Sequence, residues 1–143
     1  MTEASPLELR DLAIEVATEI GSFLGSEVGG AHLPDTKSTG PDLVTALDRE
    51  AEAKIVRAIS AVRPDDGFKG EEGTERRGST SVRWIVDPID GTTNFVFGHP
   101  GFCVSIAAEC DGVIVAGAVA DPLHSQIFDA ALGAGARCNG ADI

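Results

Sequence analysis

The chain has 143 residues, 43% of them hydrophobic and 24% charged, and a formal net charge of −12. That length fits one ordinary domain with a sizeable core, and the composition is that of a soluble globular chain. The acidic balance argues against nucleic acid or an anionic membrane surface as partner, and the longest apolar runs are too short to span a bilayer.

The opening stretch MTEASPLELRDLA has no basic segment followed by an apolar one, so no signal peptide is legible. Ser5-Pro6-Leu7-Glu8 reads as a helix start: a serine cap, a first-turn proline and a glutamate at the capping-box position. Leu9, Leu12, Ala13, Val16, Ile20, Phe23, Leu24 and Val28 then recur at helical spacing, and Gly29-Gly30 marks a stop. A polar loop over residues 31–41 leads to a second helix. It begins between residues 42 and 45 and ends before Pro64, with a stripe of Val44, Leu47, Ala51, Ile55, Ile59 and Val62. If Thr45 caps it, Asp48 falls in the first turn and complements the helix dipole.

Beyond Pro64 the pattern changes to strands. GFKGEEG is a short extended piece ending in two acids, TERRGSTS a polar loop and VRWIVD a strand. Residues 102–109 and 113–120 read as two strands joined by the turn signal Asp111-Gly112. Residues 126–131 and 136–139 form a further pair, turned at Gly133-Ala134-Gly135. The expected class is therefore α+β: two N-terminal helices packed on an antiparallel sheet. Asn139-Gly140 is another hairpin signal with hardly a strand after it, so the chain reads as cut inside a hairpin. Cys103, Cys110 and Cys138 are odd in number and lack metal-type spacing, and read as reduced, mostly buried thiols of a cytoplasmic protein.

The chemistry concentrates in WIVDPIDGTTNF. An apolar strand delivers Asp87 at its end. Pro88 removes a donor and forces a turn, Asp90 folds back toward the space Asp87 faces, and Gly91 permits a tight bend. Thr92-Thr93-Asn94 starts a short helix whose N–H groups favour an anion. Two close carboxylates repel unless a cation or a shared proton joins them. Hard cations such as Mg²⁺ take oxygen ligands and keep waters and substrate phosphates, so acids beside backbone donors suit metal plus phosphate. An isolated D-x-x-D would only cap turns, and Glu71-Glu72 alone would be a solvated face. The ordered set of Asp48, then Gly70-Glu71-Glu72-Gly73, then D-P-I-D-G-T shifts the balance toward a site.

That set resembles the inositol monophosphatase family of metal-dependent, often lithium-sensitive phosphatases. The matching residues are Lys37, DLVTALD over residues 42–48, GEEG over 70–73, WIVDPIDGTTNFVFGHP over 84–100, and the later VSIA, GAVADP and GAGARCNG. The resemblance implies the first half of the layered α/β/α/β/α fold shared with fructose-1,6-bisphosphatase. It implies that Glu71, Asp87 and the Ile89 carbonyl hold one Mg²⁺, and that Asp87 and Asp90 hold a second. Thr92, working with Glu71 and supported by Asp48, would orient and deprotonate the attacking water. Asp90 and the Gly91 and Thr92 N–H groups would hold the substrate phosphate, and Lys37 would lie close by. Glu72 has no ligand role in that pattern.

The sequence departs from the family in two ways. Members are nearly twice as long, and the W-D-x-A-A-G-type motif of their second half does not occur here. The reading is therefore the N-terminal portion of a Mg²⁺-dependent phosphomonoesterase, with inositol phosphates favoured over fructose bisphosphate, 3′-phosphoadenosine 5′-phosphate, histidinol phosphate or NADP. A non-catalytic cation-binding or dimerising module is the alternative. Either a homodimer or association with a C-terminal half would cover the apolar surface that such a truncation exposes. Second, Lys69 stands where the family usually has an apolar residue.

Overall fold

Ser5 and Glu8 close the first helix start reciprocally. The Ser5 hydroxyl accepts from the Glu8 N–H at 3.2 Å, and the Glu8 carboxylate accepts from the Ser5 N–H at 2.8 Å. The helix α1 runs over Pro6–Glu27. The computed structural model describes residues 3–28 and 40–143, with 40–45 as backbone only, so the Gly29-Gly30 stop and Lys37 lie outside the described residues. Leu9, Leu12, Ala13, Val16, Ile20 and Leu24 are buried as the periodicity predicts.

The second helix, α2, spans Gly40–Val62. It starts earlier than expected, because Pro41 is well suited to a first turn where its missing N–H is no loss. Thr45 is thus inside the helix rather than its cap. Asp48 lies in the third turn, too far in for the dipole to be its main reason for being there. Leu47, Ala51, Ile55 and Ile59 form the buried stripe, but Val62, in the last turn, is 65% exposed.

One sheet of eight strands follows: β1 (Gly67–Gly70), β2 (Glu75–Arg76), β3 (Val82–Asp90), β4 (Cys103–Cys110), β5 (Val113–Asp121), β6 (Gln126–Ala131), β7 (Gly135–Cys138) and β8 (Ala141–Asp142), in the order β2-β1-β3-β4-β5-β6-β7-β8. A five-residue helix α3, Thr92–Val96, lies between β3 and β4. From β3 onward every pairing is antiparallel, the meander that the turn signals predict. The expectation of a wholly antiparallel sheet needs correcting, because β1 pairs with β3 in parallel. Residues 71–81 carry the chain back to the start of β3, with β2 folded onto β1 on the way. Such a return is what a parallel pair requires.

Alternation along the strands separates two faces. Val82, Trp84, Val86, Val104, Ile106, Ala108, Ala116, Ala118 and Ala120 are buried where α1 packs on β4 and β5 and α2 on β3. Trp84 is fully buried, and its Nε1 donates to Asp66 at 2.8 Å. Asp66 also accepts from Thr80 Oγ1 at 2.7 Å and pairs with Arg63, which satisfies a carboxylate that is itself buried. The opposite face of β4, β5 and β6 holds a groove of about 650 Å³ lined by Ala107, Val119, Phe128 and Leu132 among others. Leu132 is 65% exposed there. No helix among the described residues is long and apolar enough to cross a membrane. The cysteines are free thiols, all three half-buried rather than buried.

Candidate metal centre

The parallel pair decides where the acids go. Gly70 lies opposite Val86 in the β1–β3 register, and the Glu71 N–H donates to the Val86 carbonyl at 3.1 Å. One residue further along each strand are Glu71 and Asp87, side by side at the same end of the sheet. Beyond Asp87 the β3–β4 register shifts, from Asp87 opposite Ser105 to Asp90 opposite Cys103. Pro88, which has no N–H for the ladder, lies inside this bulge. Pro88 and Ile89 are buried while Asp90 is exposed, so the bulge turns the second acid outward. Gly91 then takes φ +89°, and α3 begins at Thr92. The Thr92 hydroxyl donates back to the Ile89 carbonyl at 3.3 Å. A carbonyl has a second lone pair, so Ile89 O keeps acceptor capacity.

Asp48 reaches this end from α2, which packs against both β3 and α3. It is 5% exposed, and its Oδ1 is buried with no hydrogen-bond partner among the described residues. The expected support of Thr92 by Asp48 is thus not a hydrogen bond through that atom. Burial pushes the Asp48 carboxyl up to about 7, and Glu72, Asp87, Glu52 and Glu71 push in the same direction. Burial also raises Asp87, to about 6, reinforced by Glu71 and Asp90 and opposed by the hydrogen bond from the Ile89 backbone. The Cys103 thiol is raised to about 11 by burial and by Asp90 and Asp87. All four of these neighbouring charges are negative. A buried, unpartnered carboxylate oxygen among acids is the environment that a hard cation would relieve.

The backbone supplies this arrangement more than the side chains do. Among the described residues, the three-residue group whose ligand atoms lie within 4.8 Å of one another is Glu3, Cys110 and Asp111, at the other end of β3. The carboxylates of Glu71, Asp87 and Asp90 share an end of the sheet without that closeness.

A pH dependence follows. Unfolded, both aspartates titrate near 3.8. Folded, they hold protons up to about 6 and about 7, so they stabilise the cation-free fold most at low pH. That contribution is lost as the pH rises through those values. The cation-free melting temperature should therefore fall between about pH 4 and about pH 7, and Asp48→Asn should flatten the fall. An unchanged slope in the variant would contradict this assignment.

Sequence reasoning missed Glu52. It is 3% exposed and accepts from the Glu72 N–H at 3.0 Å, the Thr74 N–H at 3.2 Å and the Thr74 hydroxyl at 2.6 Å. Its one local hint is its place four residues after Asp48, on the same helix face. Lys69 is exposed on β1, which lies inside the sheet rather than at its edge, and it stands opposite Glu75 of β2.

The inositol monophosphatase family model matches residues 6–143. An inositol-1-monophosphatase of Mycobacterium leprae is 40% identical over 92% of this chain and 50% of its own length. A histidinol-phosphatase of Chlorobaculum parvum is 38% identical over 92% of this chain and 51% of its own. The crystal structure of the extragenic suppressor protein suhB from Bartonella henselae superposes with a TM-score of 0.81 at 38% identity, over 92% of this chain and 51% of that one. The chain spans about half the length of these relatives. Profile, sequences and fold agree over the stretch that carries the acids, and the chain belongs to the inositol monophosphatase family.

Proposed function

We propose that this chain is the N-terminal portion of a Mg²⁺-dependent phosphomonoesterase acting on inositol phosphates. The observation that carries the reading is the parallel β1–β3 pair, which sets Glu71 beside Asp87, with Asp90 turned out just beyond. Glu71, Asp87, Asp90 and the Ile89 carbonyl are the oxygen donors for Mg²⁺, a set whose chemistry fits that cation. When bound, Mg²⁺ lowers the pKa of water and neutralises charge on the leaving oxygen.

The remaining steps belong to the chain's own groups. Thr92 Oγ1 orients the attacking water, and Glu71 takes its proton. Asp48 holds the negative field behind them. The N–H groups of Gly91 and Thr92, with Asp90, fix the substrate phosphate so that water and leaving alkoxide lie in line. By the family resemblance, Lys37 is a further candidate catalytic residue. The apolar face bearing Phe128 and Leu132 supports association with a C-terminal half or a second copy, and the cytoplasm is the proposed compartment.

The test is phosphate release from inositol 1-phosphate, with and without Mg²⁺, beside histidinol phosphate. Mg²⁺-dependent release favouring inositol phosphate is expected. Preference for histidinol phosphate would favour the activity named for the Chlorobaculum relative. A folded, cation-binding protein that releases phosphate from neither would contradict catalysis and leave a cation-binding module.

A further inference from the structure

Among the buried charges near the site, Glu52 is the one with no role in the chemistry above. Its carboxylate lies under the turn that presents Glu71. The Glu71 peptide is fixed on one side by its N–H donating to Val86 O at 3.1 Å. On the other side, the next N–H, that of Glu72, donates to Glu52 Oε1 at 3.0 Å. Both Thr74 donors reach Glu52 Oε2, and the Gly70 N–H donates to the Thr74 carbonyl at 2.7 Å. The turn from Gly70 to Thr74 is therefore wrapped around one buried carboxylate. Gly70 is packed so closely that a Cβ there would lie 2.2 Å from Glu52 Oε1.

Helix α2 thus contributes two acids one turn apart, with different fates. Asp48 Oδ1 has no partner among the described residues, whereas Glu52 accepts three hydrogen bonds. We infer that Glu52 is a positioning residue for the metal centre: its carboxylate fixes the turn that sets Glu71 beside Asp87. This inference rests on the metal-centre reading above. The chemistry requires an anion. A carboxylate offers acceptors to all three donors, and charge-assisted bonds are the stronger kind. A glutamine at the same place turns an NH₂ group toward at least one donor, leaving a buried N–H or hydroxyl unmet.

The test is Mn²⁺ binding by the protein, followed by electron paramagnetic resonance, together with amide hydrogen exchange at Glu72 and Thr74. Glu52→Gln should weaken Mn²⁺ binding by about 10- to 100-fold, the usual effect of removing a group that orients a ligand. It should also speed exchange at both amides. Gly70→Ala presses on the same carboxylate from the other side and should do likewise. Ile55→Val, a core substitution on the same helix, should lower the melting temperature but leave Mn²⁺ affinity in place. Affinity unchanged in Glu52→Gln, or reduced no more than in Ile55→Val, would overturn the positioning role alone. No Mn²⁺ binding by the unsubstituted protein would overturn the metal-centre reading, and Glu52's role with it.

Discussion

Asp87→Asn is expected to abolish cation-dependent turnover and to weaken Mg²⁺ binding by more than about 100-fold, beyond the 10- to 100-fold typical of residues that only orient a ligand. Asp87 lies between Glu71, just past the end of the neighbouring parallel strand, and Asp90 beyond the bulge, so on the proposed reading its carboxylate is the one that would share a cation with both flanking acids. The same substitution should leave the cation-free fold intact or stabilise it. It removes a charge that is already disfavoured by burial and by Glu71 and Asp90. Loss of function with an unchanged or higher cation-free melting temperature is thus the signature, read by calorimetry and by phosphate release. A variant that keeps near-normal Mg²⁺ affinity would remove Asp87 from the site.

Gly91→Ala is expected to be the most damaging single-methyl change at the site. The residue takes φ +89°, and an added Cβ would lie 2.4 Å from the Gly101 carbonyl oxygen and 3.1 Å from Phe102 Cα. The left-handed conformation alone costs about 1–2 kcal/mol for a residue with a Cβ. The clash adds to this, because both neighbours are backbone. Displacing residues 101 and 102 also disturbs buried Phe102, whose ring meets Phe95 edge-on at 5.0 Å. A total of about 3 kcal/mol corresponds to a drop of roughly 10 °C in melting temperature for a domain of this size. Gly112→Ala is the control. Its φ is +85°, but nothing lies within 4 Å of its Cβ, so it should show the strain without the clash. Equal losses in the two variants would mean that the close approach at Gly91 does not matter.

Much of this fold was legible in local signals. The Ser5–Glu8 box, the stripe of α1 and the Asp111-Gly112 turn act between neighbours in sequence, and local energetics decide them. The family resemblance supplied the roles proposed for Glu71, Asp87 and Asp90. Two things were hidden because they depend on contacts between distant segments. One is the parallel pairing of β1 with β3, set by a return through residues 71–81 that no short-range pattern announces. The other is Glu52, whose partners are 20 and 22 residues away. On a helical wheel it resembles any acid beside an apolar stripe. The start of α2 was misplaced because Thr45 offers a good cap, yet Gly40-Pro41 admits a helix earlier.

The central question is whether the end of the sheet shared by Glu71, Asp87 and Asp90 holds a divalent cation. The most direct measurement is an anomalous difference map from crystals of the protein soaked in Mn²⁺. A peak in contact with the Glu71 and Asp87 carboxylates, with Asp90 beside it, is the predicted result. A map with no peak there, from a protein saturated with Mn²⁺ elsewhere, would contradict it.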